Sequence, residues 1–275
     1  MSKFFNKVFW ASDIHLPSAS LKSQEDFFNE IKSADALILS GDISNGDLKY
    51  FQILSKTLPD MQIYFVLGNH DFYGRTFSET RLAVRKICLD NNNLHFLSDI
   101  DWEMINDIPI IGHEGWYDCY YGRTGSILLH DFDYIKDISR VYSTRVFQLM
   151  IDKFRDVAME SANHFKFSLD LIYELYDQAI LVTHVPPFPE VAFYNGNKCS
   201  TEWLPYMVSK ISGDMLFSIM NQYKDKQLLV LCGHTHGAGE AQILPNLKVM
   251  AAESVFKFPK VYKDFGDLSC LMKQK

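Results

Sequence analysis

Cysteine is scarce and scattered. The chain has 5, Cys88, Cys119, Cys199, Cys232 and Cys270, with no Cys-x-x-Cys pair among them. That usage argues against a disulfide framework and against a thiolate zinc site. No apolar run approaches the roughly 20 residues a membrane span needs. The N-terminus, with Lys3, Lys7 and a short Val8-Phe9-Trp10 run broken by Asp13, does not resemble a signal peptide. The expectation is a soluble, cytoplasmic protein with no membrane partner. Basic residues are also in deficit: Lys and Arg total 27 against 34 Asp and Glu, a formal charge of -7. Without a basic stripe, a general duplex-binding surface is disfavoured. A small phosphate ester stays open, because bound metal ions can supply positive charge locally. Gly-x-Gly-x-x-Gly, Gly-Lys-Ser and Gly-x-Ser-x-Gly are missing too. Their absence removes the Rossmann cofactor site, the P-loop and the serine-hydrolase elbow.

What is present points to a folded α/β chain. Of 275 residues, 47% are apolar and 14% aromatic, enough to bury a sizeable core. Strand candidates Val8 to Ser12, Ala36 to Ser40 and Gln62 to Leu67 alternate with amphipathic stretches Ser23 to Ser33, Asp47 to Thr57 and Ser78 to Asp90. Strand, helix, strand at this rhythm predicts a parallel sheet. Leu94 to Leu97 reads as a short strand. Trp102 to Ile105 and Ile108 to Ile111 read as a hairpin at which the sheet turns antiparallel. Further on, Tyr142 to Asp177 is helical in period, Ala179 to Thr183 is a buried strand, and Thr201 to Tyr223 is helical. Leu228 to Cys232 is another strand, and Ala241 to Leu244 with Leu247 to Ala251 form a closing hairpin. With no repeat or linker, residues 1–275 read as a single domain. The segment at about 113–177 reads either as a cap over the active site or as an aromatic loop packed on the body.

The apolar runs end alike. Val8-Phe9-Trp10-Ala11 leads to Asp13-Ile14-His15, and Ala36 to Ser40 leads to Gly41-Asp42. Val66-Leu67 leads to Gly68-Asn69-His70-Asp71, Ala179 to Thr183 leads to His184, and Leu228 to Cys232 leads to Gly233-His234-Thr235-His236. In parallel α/β sheets, ligands bind beyond the carboxyl ends of the strands, where these loops converge. Carboxylate, amide and imidazole without thiolate suit manganese, iron, zinc or magnesium. Asp13, His15, Asp42, Asn69, His184, His234 and His236 are too many ligands for one tetrahedral ion, so two divalent ions are the economical reading.

In order and spacing these motifs resemble those of the calcineurin-like metallophosphoesterases. The resemblance implies two mixed β-sheets packed as a sandwich flanked by helices, with a dinuclear centre at the top edge. It implies that Asp13, His15 and His236 hold one metal, that Asn69, His184 and His234 hold the other, and that Asp42 bridges. Manganese is the favoured metal, with iron, zinc and magnesium as alternatives. The implied reaction is hydrolysis of a phosphomonoester or phosphodiester by a metal-bridging hydroxide, with His70 protonating the leaving oxygen. A nuclease acting on DNA or RNA is the rival enzyme. A non-catalytic binding scaffold is the rival outside enzymes, although it would have no chemical need for this ligand set.

One departure from the family pattern stands out. Where Gly-Asp-x-x-Asp is usual, with its second Asp orienting the catalytic histidine, Asn45 occurs here. An amide can accept a ring N–H but brings no negative charge. The expectation is that Asn45 orients His70 weakly, or that Asp47 or Asp71 compensates. Asn45, His113, Trp116, Tyr117 and Arg123 are candidate substrate contacts, the aromatic rings for stacking and Arg123 for a phosphate. His95, His130 and His164 fit no ligand spacing and read as structural or exposed.

Overall fold

A computed structural model describes residues 4–125 and 127–268, so Cys270 lies outside the described residues. The chain runs β1 (Val8–Ala11), α1 (Leu21–Ile31), β2 (Ala36–Ser40), α2 (Lys49–Thr57), β3 (Gln62–Val66), α3 (Phe77–Leu89) and β4 (Leu94–Phe96). After a crossing come β5 (Glu103–Ile105) and β6 (Ile108–His113), then α4 (Asp131–Tyr134), α5 (Lys136–Tyr142) and α6 (Phe147–Leu175). The remainder is β7 (Gln178–Thr183), β8 (Phe193–Tyr194), β9 (Asn197–Lys198), α7 (Leu204–Met207), α8 (Lys210–Gln222), β10 (Gln227–Cys232), β11 (Gly239–Leu244), β12 (Leu247–Ala251) and β13 (Lys263–Asp264).

Two mixed sheets result, a 5-stranded one in the order β13-β1-β2-β3-β4 and a 6-stranded one in the order β11-β12-β10-β7-β6-β5. They pack face to face with helices outside. Strand alternation sorts the residues: Val8, Trp10, Ala36, Ile38, Tyr64 and Val66 meet Ile110, Ile180, Val182, Leu229 and Leu231 between the sheets. Their neighbours Phe9, Leu37, Leu39, Ile63 and Phe65 face the helices on the other side of the first sheet. Burial on both faces explains why these strands read as unbroken apolar runs. The β5–β6 hairpin forms as an antiparallel pair, but at the edge of the second sheet and not as a continuation of the first. After β4 the chain leaves the first sheet, and β6 pairs in parallel with β7 as part of the second.

Local chemistry sets the helix ends. Ser20 caps α1 by accepting the Ser23 N–H, and Thr76 with Glu79 forms a capping box on α3. The apolar stretch after Thr201 is not one helix, because extended Val208 and the cap residue Ser209 separate α7 from α8. The helix α6, 29 residues long, spans both outer cores. Phe154, Val157 and Ala158 join the cluster around the first sheet, while Phe165, Leu169 and Ile172 join that on the second. No helix among the described residues is long and apolar enough to cross a membrane.

A buried ion pair ties these layers together. Arg81 of α3 donates to both Glu114 oxygens, at 3.3 and 2.8 Å, and to Glu160 of α6 at 2.7 Å. Burial would raise the Glu114 pKa, but Arg81 and the His113 ring outweigh it and hold the carboxyl well below its ordinary 4.5. The pair's stabilisation is therefore complete above that ordinary value and is lost as pH falls below it. Arg81→Ala should cost about 3–5 kcal/mol at neutral pH by leaving a buried carboxylate unpaired. Urea unfolding at pH 7 and pH 3 checks this, and the deficit should shrink at the lower pH.

Candidate metal centre

The ligand-bearing loops continue the strand pairing. The N–H groups of Asp13, His15 and Leu16 donate to the carbonyls of Gly41, Asp42 and Ile43, and Gly233 N–H donates to His184 O. Within them the backbone is left-handed at Asp13 (φ 52°), His15 (φ 39°), Asp42 (φ 52°), His234 (φ 69°) and His236 (φ 60°). Each such non-glycine residue costs on the order of 1–3 kcal/mol and persists only where its surroundings over-determine it. Gly41 (φ +94°) and Gly68 fit between these loops because a Cβ would overlap the His184 ring at the first and the Asp42 carboxylate at the second.

The side chains form two groups joined at Asp42. Ligand atoms of Asp13, His15, Asp42 and His236 all lie within 4.8 Å of one another. In the other group, Asn69 Oδ1 stands 3.0 Å from His184 Nε2 and 3.1 Å from His234 Nδ1. Asp42 turns Oδ2 toward His15 Nε2 (3.6 Å) and Oδ1 toward His184 Nε2 (3.5 Å). The rings are oriented from behind. His184 Nδ1 donates to Ser40 O at 2.8 Å, His234 Nε2 to Tyr206 O at 2.8 Å, and His15 Nδ1 to Asn45 Oδ1 at 3.1 Å. When these rings are neutral, their inward nitrogens present lone pairs toward carboxylate and amide oxygens. The His15 Nε2 atom is buried with no hydrogen-bond partner. A cluster of acceptors facing one another fits a cation.

The electrostatics show the same demand for positive charge. Burial opposes the charge of Asp42, yet His184, His70 and His15 hold its pKa well below the usual range. Asp13 behaves likewise, with His236 outweighing burial. Burial would lower His184, but Asp42 raises it to about 10. For His236, Asp13 overcomes burial and raises the pKa. Burial lowers His15, and burial together with His184 pushes His234 down to about 4.

His70 lines the cavity above this cluster, its Nε2 3.8 Å from Asp42 Oδ2 and its backbone N–H on Asp42 Oδ1 at 2.9 Å. Asn45 does not orient it, since the Asn45 amide reaches His15 and Ser18 instead. Neither expected substitute carboxylate reaches it. Asp71 accepts from the N–H groups of Ile43, Ser44 and Gly68 and from the Ser44 hydroxyl, and Asp47 pairs with Lys49 at 2.6 Å. Burial and the Asp42 charge raise Asp71 to about 7.

The other candidates fall outside the cavity. Trp116 and Tyr117 are fully buried in the core around Phe154, so their faces are filled by protein. His113 is buried against Ser161 and Glu114, and exposed Arg123 docks its loop through its backbone N–H on Thr201. Among the histidines without ligand spacing, His95 stacks on Tyr64 and His164 packs tilted against His113, whereas His130 lines the cavity. One important residue, Asp131, is absent from the motif pattern. Its carboxylate receives both Asn69 Nδ2 contacts (2.9 and 3.1 Å), Tyr73 OH (2.7 Å) and Tyr117 OH (2.8 Å). This locks the Asn69 amide with its oxygen turned to His184 and His234.

Fold and donor set together define the class, a metal-dependent phosphoesterase. A model of the calcineurin-like phosphoesterase family matches residues 7–238, and the chain belongs to that family. Several solved structures share the fold. A phosphopantetheinyl hydrolase from Mycobacterium tuberculosis has a TM-score of 0.61 at 13% identity, over 93% of this chain and 95% of that one. A dimetal phosphatase from Danio rerio has 0.55 at 12%, over 95% and 92%. GAP50, the anchor in the inner membrane complex of Plasmodium, has 0.52 at 13%, over 92% and 72%. At these identities the likeness is one of fold alone. No curated protein matches the chain.

Asp131→Ala should free the Asn69 amide to rotate and weaken metal binding about 10- to 100-fold. Titration of the apo-protein with Mn2+, followed calorimetrically, checks this, and an unchanged affinity would rule out the clamp. Gly68→Ala should displace Asp42 and reduce bound metal in the purified protein.

Proposed function

We propose that this chain hydrolyses a small phosphate ester, a phosphomonoester or phosphodiester, with two divalent metal ions as cofactors. The observation that carries the reading is the pair of donor groups sharing Asp42, whose oxygens face opposite ways. Asp13, His15 and His236 would hold one ion, Asn69, His184 and His234 the other, and Asp42 both. Manganese is favoured for a donor set of carboxylate, amide and imidazole without thiolate, with iron, zinc and magnesium next. Bound ions of this kind make hydroxide available near neutral pH and neutralise phosphoryl oxygens.

The chain's own residues do the rest. His70 stands on the cavity wall beside Asp42, where its ring can hand a proton to the leaving oxygen as the ester bond breaks. Its backbone N–H on Asp42 ties that acid to the shared ligand. Tyr73, packed on the His70 ring at 4.6 Å, limits how far the ring can swing.

Nitrophenyl mono- and diesters with and without Mn2+ test the proposal. Chelation should abolish turnover, and His70→Ala should lower kcat by about 10²–10⁴ with metal content unchanged. Absence of turnover across a broad ester panel, with the metal bound, would favour the scaffold reading instead.

A further inference from the structure

The cavity over the candidate centre has a volume of about 760 Å³, within the usual range for small-molecule sites. Its floor is formed by Asp42, Asn69, His70 and the loop of His234 and His236, while Tyr194, Trp203, Met207, Leu129 and Phe256 line its walls. Tyr194, Trp203 and Phe256 are 58%, 44% and 50% exposed, unlike the buried Trp10 and Trp116. Among the described residues, Tyr194 and Trp203 make no ring–ring contact. Phe256 is met by the His15 ring and the Lys257 ammonium, both centred 5.6 Å away. Aromatic faces that are left open around one cavity ask for an apolar or planar guest.

Charge narrows the guest further. Among the described lining residues Lys198 is the only Lys or Arg, and it forms no ion pair with another described residue. One ammonium suits one additional negative charge, not a polyanion, which would need a cationic track. Asn195 and Asn197 stand on the same wall and offer amide groups to the edge of a ring.

Resting on the phosphoesterase reading above, we propose that this cavity receives the alcohol half of the ester and that the alcohol carries a planar ring. Water's oxygen bonds to phosphorus and the bond from phosphorus to the alcohol oxygen breaks; that oxygen takes a proton from His70, and the proton released from the attacking water passes to solvent, from which His70 is reprotonated for the next turnover. The ring-bearing alcohol then leaves through the aromatic mouth.

Esters of alcohols of similar acidity test this, 2-phenylethyl against ethyl phosphate and the corresponding methyl diesters, with 2-(purin-9-yl)ethyl phosphate, whose alcohol is more acidic, compared through KM as a heteroaromatic arm. Stacking one ring on aromatic side chains corresponds to roughly five- to hundredfold in affinity. The ring-bearing esters should exceed the ring-free ones at least about fivefold in kcat/KM, chiefly through KM. A purine advantage over phenyl in KM identifies edge recognition by the amides, and equal KM identifies stacking alone; both support the subsite. In the Trp203→Ala/Phe256→Ala double variant the paired values should converge to within about twofold. Equal kcat/KM in the parent protein, or a preference that survives the double variant, overturns the proposal. Calorimetric binding of 2-phenylethylphosphonate against ethylphosphonate to the Mn2+-loaded protein separates the two readings. If no ester turns over, the phosphoesterase reading fails, yet tighter binding of the ring-bearing phosphonate would uphold the subsite and equal binding would overturn it.

Discussion

A carboxylate buried in the interior needs positive charge or hydrogen-bond donors around it, and at Asp42 this chain meets that constraint chiefly with histidines. Its oxygens face histidines on either side, and its Oδ1 also takes a backbone N–H from the loop of His70. An uncompensated charge in such a position would be too costly to keep. The imidazoles from β1, β7 and β10 are thus drawn around a single acid, and a bound cation would satisfy the same field more completely than shared protons do.

The sandwich makes this arrangement rigid. The strands that end at the centre are buried on both faces, and backbone hydrogen bonds continue from the parallel ladder into the ligand loops. The left-handed residues are stabilised by that continuation, because a relaxed backbone at His15 or Asp42 would break pairing already established in β1 and β2. Strain of this kind is typical of sites that must stay organised before their ligand arrives. Contacts from outside the sheets complete the support: Asp131 of α4 fixes Asn69, and the Tyr206 carbonyl of α7 fixes His234.

The convergence of these loops was legible in the sequence because each carboxylate, amide or imidazole directly follows an apolar run, so that predicting the strands also places those groups at one edge. Asp131 was not. It meets Asn69 across 62 positions, and nothing local distinguishes a supporting carboxylate from an acidic helix start. Trp116 and Tyr117 looked available because their stretch lacks periodicity, yet the outer core requires large rings and buries them. Asn45 kept its expected place, but its amide turned to His15. The strands β8, β9 and β13 have only 2 residues each, too few for a period to register. The assignment of hairpin β5–β6 to a second sheet depends on long-range pairing that no short window contains.

Helix α6 has a consequence beyond packing. Since one half of it completes the apolar layer outside the first sheet and the other half the layer outside the second, neither sheet can shed its cover independently. Amide protons in β2 and β10 should therefore become accessible to solvent in the same rare event, whichever layer begins to loosen. A helix shared in this way makes two sheets exchange as one.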